Sequence, residues 1–176
     1  TILDRDDSNH LIDSVIDDLG YNKKNSYRFP KGKALGGVFG LAHATGYSVE
    51  EIIEESYDKF TAITDEIGDV WRGYEIRKQE LNTMDFDDLL LHWFKLLNDF
   101  PDLKRYYGEA FDHILVDEYQ DTNPLQANII DDLAHLHKNL TVVGDDAQSI
   151  YRFRGADCRH ILDFPQRYEG CQIHYL

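Results

Sequence analysis

The sequence holds only two cysteines, Cys158 and Cys171. They fit neither a disulfide framework nor a CxxC metal half-site, which excludes the disulfide-stapled secreted scaffolds. No run of about 18 apolar residues occurs, so no transmembrane helix is expected. The stretch Thr1-Ile2-Leu3-Asp4-Arg5-Asp6-Asp7 has neither the basic region nor the apolar core of a signal peptide. A reducing, cytoplasmic setting with no membrane partner is expected. Basic residues are scarce: 18 lysines and arginines face 33 aspartates and glutamates, a formal charge of −15. Such a chain repels polyanions on average, so nucleic-acid binding requires a local basic patch or basic surface supplied from elsewhere.

A nucleotide phosphate loop, GxxxxGK followed by Ser or Thr, is also missing. The glycine-rich stretch Lys31-Gly32-Lys33-Ala34-Leu35-Gly36-Gly37-Val38-Phe39-Gly40 invites that reading. No glycine precedes a Gly-Lys pair at the required spacing, however, and no strand leads in. The stretch reads instead as a flexible or closely packed connection.

What is present begins with helices. Leu11, Ile12, Val15, Ile16 and Leu19 recur at helical spacing, and Gly20 is placed to stop the run. Ser48 with Glu51 forms a capping-box signature ahead of the stripe Val49, Ile52, Ile53, Tyr57, Phe60 and Ile63. A third helix is expected from about Asp69 to Leu81, and a fourth from about Asp85, carrying Phe86, Leu89, Leu90, Trp93, Phe94 and Leu97.

After Pro101 the pattern changes. Two short apolar runs, Ile114-Leu115-Val116 and Leu140-Thr141-Val142-Val143, flank a helix capped by Asn123 with Pro124 in its first turn. Strand, helix, strand with short links predicts a parallel pair. A last strand is expected over Gln172–Leu176. The chain thus reads as a small helical domain followed by part of an α/β domain.

In parallel α/β sheets ligands collect at the carboxyl ends of strands, and both strands end there in acids: Asp117-Glu118 and Asp145-Asp146. Adjacent carboxylates can divide the work, one holding a hydrated Mg²⁺ and the next orienting and deprotonating a water. An isolated Asp-Glu pair at such a junction is commonly a cap or a solvated turn. Here two polar clusters stand at neighbouring strand tips: Asp117-Glu118-Tyr119-Gln120-Asp121, and Gly144-Asp145-Asp146-Ala147-Gln148-Ser149-Ile150-Tyr151-Arg152-Phe153-Arg154-Gly155-Ala156. The pair His135 and His137 reads as solvated surface.

These strings resemble the superfamily 1 helicases of the UvrD/Rep/PcrA group. The first is similar to their Walker B motif, the second to their motif III, and Met84-Asp85-Phe86-Asp87-Asp88-Leu89-Leu90 to a stretch that precedes Walker B. The matches cover residues 84–156 directly.

The resemblance implies an α/β fold: a partial RecA-like parallel sheet with flanking helices (84–176), preceded by a small all-helical insert subdomain (1–83). It gives Asp117 the Mg²⁺ and Glu118 the role of catalytic base. Gln148 would sense the γ-phosphate of ATP, and Gln120 and Asp121 would belong to the polar network joining the motifs at the nucleotide. Tyr151, Phe153 and Arg154 would face single-stranded DNA, aromatic rings stacking on any base; the family often carries tryptophan at the Phe153 position.

The implied parent is an ATP-dependent helicase of DNA repair or replication, acting on single-stranded and partly duplex DNA. The chain itself is expected to be a catalytically inactive fragment. The phosphate loop, the arginine that the family's next motif brings to the γ-phosphate, and the second RecA-like domain are not in it. An unpaired sheet edge would then invite a fragment dimer. Two alternatives remain at this stage. One is a non-catalytic helicase-like module that binds a protein partner through its helical half. The other is a metal-dependent hydrolase or nuclease using the acids without ATP.

Overall fold

The computed structural model describes residues 1–24, 29–148 and 159–175, with the side chains of residues 23, 24, 146 and 159 left out of account. The elements in chain order are α1 (Arg5–Leu19), α2 (Tyr21–Lys24), α3 (Gly32–Thr45), α4 (Val49–Ser56), α5 (Thr64–Glu80), α6 (Phe86–Asp99), α7 (Pro101–Ala110), β1 (Ile114–Val116), α8 (Pro124–Ala134), β2 (Leu140–Val142), α9 (Arg159–Leu162) and α10 (Phe164–Arg167). The chain divides into two compact units, Thr1–Leu89 and Leu90–Leu176, the division falling within α6. No helix among the described residues is long and apolar enough to cross a membrane.

The first unit is all helical. Asp4 caps α1 by accepting the amides of Asp6 and Asp7, and Gly20 closes it in the left-handed conformation. Its face of Ile12, Val15 and Ile16 packs into one core with Leu35, Val38 and Phe39 of α3, Ile52 and Ile53 of α4, and Ile67, Val70 and Tyr74 of α5.

The glycine-rich stretch is α3 itself, not a loop. A Cβ on Gly32 would lie 2.1 Å from the carbonyl oxygen of Asn9, so glycine is what lets α1 and α3 approach. Close packing overrides glycine's poor helix propensity here. The capping box at Ser48 and Glu51 forms as expected. The stripe behind it does not stay in one helix: α4 ends at Ser56 with Tyr57 as its C-cap, and Asp58–Ile63 is a 3₁₀ segment that buries Phe60 and Ile63. The third expected helix starts earlier than read, at Thr64, because the run from Asp65 to Gly68 is polar enough to hide its first turn.

The turn into α6 is built on buried charge. Asp85 and Asp88 cap each other's backbone amides at 2.8 and 2.9 Å. Lys78, whose side chain is 3% exposed, reaches Asp88 at 2.7 Å, Glu75 at 2.8 Å and Asp85 at 3.2 Å. Tyr74 donates its hydroxyl to Asp85 at 2.8 Å. The motif Met84–Leu90 is therefore also a helix cap clamped by a buried lysine. A parallel bridge between Ile2 and Met84 ties the first residues to the same turn.

In the second unit β1 and β2 pair in parallel, with Ile114 opposite Leu140 and Val116 opposite Val142. The crossover helix α8 carries the expected Asn123 cap, completed as a capping box by Gln126, with Pro124 in its first turn. Leu125 and Ile129 of α8 pack on Leu97 of α6, with Leu90, Leu91, Phe94, Tyr107 and Leu133 around them. Helix α7, which the sequence reading did not anticipate, starts with Pro101 and keeps its amphipathic face on α8, where Lys104 meets Asp132 at 2.5 Å.

The chain is thus mostly helical with a small two-stranded parallel sheet. The last expected strand does not form: residues 171–175 carry no regular structure. Ile173 and Tyr175 are 56% and 93% exposed, so their alternation has no apolar face to fall on. Leu176 lies outside the described residues.

Burial disfavours the charge on Asp85, but the Lys78 ammonium and the hydrogen bonds from Asp88 and Tyr74 outweigh it and hold its carboxyl below the usual range. A depressed folded value means stability that is present above the ordinary value of 3.8 and lost as pH falls through the folded one. Lys78→Met should cost about 3–5 kcal/mol near neutral pH by stranding buried carboxylates. That deficit should narrow on acidification, as the stranded carboxylates take up protons. Denaturant unfolding at stepped pH checks this; a deficit constant with pH would refute it.

Candidate functional site

The strand tips are joined before any side chain is considered. Beyond the paired strands, Val143 N donates to Val116 O at 2.8 Å and Tyr119 N donates to Val143 O at 2.9 Å. The backbone then breaks sharply. Glu118 sits at φ 51°, ψ 40°, a left-handed conformation uncommon for a residue with a side chain. This turn starts the 3₁₀ segment Tyr119–Asp121 and sends Asp117 and Glu118 outward while Tyr119 and Gln120 go inward.

Tyr119 is fully buried, its ring edge-on to Phe164 of α10 at 5.5 Å. Tyr168 stacks on Phe164 and donates to Asp131 of α8, which also pairs with Arg167. The segment after α9 is thereby anchored behind the strand tip.

Gln120, 1% exposed, links the two acidic clusters. Its Nε2 donates to Glu118 Oε2 at 2.6 Å, and its Oε1 accepts from Asp145 N at 3.0 Å. Asp145 in turn accepts from Gln148 Nε2 at 2.8 Å and from Ala147 N at 3.0 Å. A continuous hydrogen-bonded path thus runs from Glu118 through Gln120 and Asp145 to Gln148.

Gly144 makes the path possible: a Cβ there would meet Gln120 Oε1 at 2.3 Å and Ile161 Cδ1 at 2.7 Å. Asp117 turns one oxygen back to Glu118 N at 2.9 Å. Asp121 stands one residue past the link, with Oδ1 buried and, among the described residues, lacking a hydrogen-bond partner.

Of the residues singled out in the sequence, Asp117, Glu118, Gln120, Asp121 and Gln148 therefore lie on or beside one polar network. Tyr151, Phe153 and Arg154 fall outside the described residues. His135 and His137 are both tied to nearby backbone, through Asp132 O and Asn139 N.

Sequence reasoning missed three features. Gly144 was visible in the motif, but its close approach to a buried amide was not. The left-handed turn at Glu118 carries no sequence signal, since glutamate has no preference for it. Lys78 gave none either, being separated from Asp85 and Asp88 by a turn of no regular period.

The adjacent exposed carboxylates of Asp117 and Glu118 suit an oxygen-seeking cation that keeps several waters, as Mg²⁺ does.

The family model for the UvrD/REP helicase N-terminal domain matches residues 1–169. The chain is 34% identical over its whole length to the ATP-dependent DNA helicase PcrA of Staphylococcus epidermidis, covering 23% of that protein. It is 36% identical to the ATP-dependent DNA helicase UvrD1 of Mycobacterium tuberculosis, over 96% of this chain and 22% of that protein. A putative ATP-dependent DNA helicase, YjcD of Bacillus subtilis, is 44% identical over 107 residues, 61% of this chain and 14% of that protein. The chain spans less than a quarter of the length of these relatives.

Gln120→Ala should destabilise the second unit by about 1–3 kcal/mol by removing two part-buried hydrogen bonds, to Glu118 and from Asp145 N. Gly144→Ala should do the same by displacing Gln120. Because both act through one amide, the double variant should cost clearly less than the sum. Strict additivity in a denaturant-unfolding cycle would show that the path is not a unit.

Proposed function

The chain belongs to the UvrD/REP helicase family, and from that premise we propose that it is part of a motor coupling ATP hydrolysis to movement along single-stranded DNA and to duplex unwinding. In this reading residues 1–83 are the helical insert subdomain and residues 84–176 part of the first RecA-like domain. The observation that carries the proposal is the hydrogen-bonded path from Glu118 through Gln120 to Asp145 and Gln148. It offers a physical route by which the state of the nucleotide at one strand tip alters the segment that follows the other.

Glu118 is the base that takes a proton from the attacking water, and its contact with Gln120 fixes the carboxylate's aim. Asp117 holds Mg²⁺, with Asp121 nearby. When bound, Mg²⁺ offsets the charge that develops on the phosphates. Gln148 meets the γ-phosphate, and a change in that contact passes through Asp145 to the segment holding Tyr151, Phe153 and Arg154. Those three residues face the DNA, stacking without reading sequence.

A charge of −15 does not favour DNA on its own, so most of the basic track lies on other parts of the parent. Repair and replication are the settings where such a motor works. The phosphate loop comes from the parent as well, and the chain alone neither hydrolyses ATP nor unwinds DNA. Among the described residues the sheet has two strands, so each leaves one edge open to pairing with a second copy.

The test is the ATPase of the full-length parent with and without single-stranded DNA, beside a Glu118→Gln version. DNA-stimulated turnover that falls by roughly 10²–10⁴-fold in the variant supports the motor and the base. No turnover in a folded parent replaces this reading with a non-catalytic interaction module. Turnover by the isolated chain would overturn the division of labour.

A further inference from the structure

The helical unit carries a second polar cluster that the motor chemistry does not use. Among the described residues, four carboxylates, from Glu75, Asp85, Asp87 and Asp88, gather around one ammonium, that of Lys78, and the ring of His43. With all four ionised, three negative charges are left over. The Asp88, Asp85 and Glu75 side chains are only 6%, 13% and 31% exposed. Uncompensated charge at such burial is costly, so the cluster has a demand for positive charge that Lys78 does not meet.

His43 points to what meets it. Its side chain is 8% exposed, yet among the described residues its nearest anionic partner is Glu75 Oε1 at 3.9 Å, beyond hydrogen-bond range. The ring is held by Trp71 at 4.8 Å, so its direction is fixed by packing rather than by a polar partner. A ring nitrogen of His43 and one carboxylate oxygen each from Asp85 and Asp87 lie within 4.8 Å of one another.

In the alternative set, His43 with Glu75 and Asp88, Lys78 holds both carboxylates, at 2.8 and 2.7 Å. In the first set it holds only Asp85, at 3.2 Å, whose Oδ2 also accepts from Tyr74 while Oδ1 accepts the Asp88 amide alone. Among the described residues Asp87 makes no such pairing. Its carboxylate rests 3.2 Å from where a Cβ would stand on Gly40, one helical turn before His43 on α3.

We propose that His43, Asp85 and Asp87 bind a divalent ion of the zinc class. Such ions take imidazole nitrogen and carboxylate oxygen as ligands, and a water can fill the remaining position. The ion joins α3 to the start of α6 and fastens the Asp85–Asp88 cap in place. It is a structural clamp in the first unit, independent of the strand-tip Mg²⁺.

The experiment is calorimetric titration of the chelator-treated 176-residue chain with Zn²⁺, with Mg²⁺ as the comparison, alongside the visible absorption of the Co²⁺ form. The expected result is one Zn²⁺ per chain, weakened at least tenfold by His43→Gln and by Asp87→Asn. Both variants should lose the Co²⁺ bands and the rise in melting temperature on Zn²⁺ addition. A His135→Gln, His137→Gln double variant should bind as the parent chain does.

Cooperative metal-free melting establishes that each variant is folded. Asp87→Asn replaces an exposed residue, so it remains informative should His43→Gln not fold. Absence of Zn²⁺ binding by the folded wild-type chain overturns the proposal. So does an affinity untouched by Asp87→Asn, or one lost only with His135 and His137.

Discussion

Gln120 is a neutral side chain that donates and accepts at once, and its burial between the ends of β1 and β2 is the constraint on which the strand-tip geometry depends. A carboxylate in that position would repel Glu118, and an apolar residue would leave Asp145 N without its partner. The amide satisfies both because its two ends differ in polarity. From it follow the glycine at position 144, the aim of Glu118, and the placing of Asp145 to receive Gln148. Three-residue strands are short for holding a site by themselves; the buried amide and the anchored ring of Tyr119 supply what strand length does not.

The two units handle charge in opposite ways. At the strand tips the acids stand in solvent, where their charge is cheap to maintain and open to a cation carrying its own water. At the start of α6 the acids are buried, and the fold brings a lysine to them. The same residue types thus serve an exposed chemical surface in one unit and a folding constraint in the other, and exposure decides which. Net charge, read from composition alone, blends the two.

Much of the fold was legible where one local rule acted without competition. The stop at Gly20, the capping box at Ser48 and the Asn123–Pro124 start each need only a few neighbouring residues. Helix α3 was misread because glycine's propensity argued against a helix while a contact with Asn9, far off in sequence, required it. The strand expected at Gln172–Leu176 had alternation but no partner, and alternation stabilises only against something. At the site the chemistry-bearing residues were legible because they sit together in two motifs. The link between the motifs was not, since it depends on a backbone torsion at Glu118 and on a missing methyl at Gly144.

That torsion sets stability against chemistry at a single residue. An ordinary side chain in the left-handed region costs about 1–2 kcal/mol, which glycine avoids and asparagine partly offsets. Glu118 therefore occupies a backbone position that favours other residues. Variants selected for heat resistance would drift there toward glycine or asparagine and lose the carboxylate that we assign as the base. Variants selected for turnover would keep the acid and retain the strain. The composition of a selected pool at this one position would report which pressure had acted.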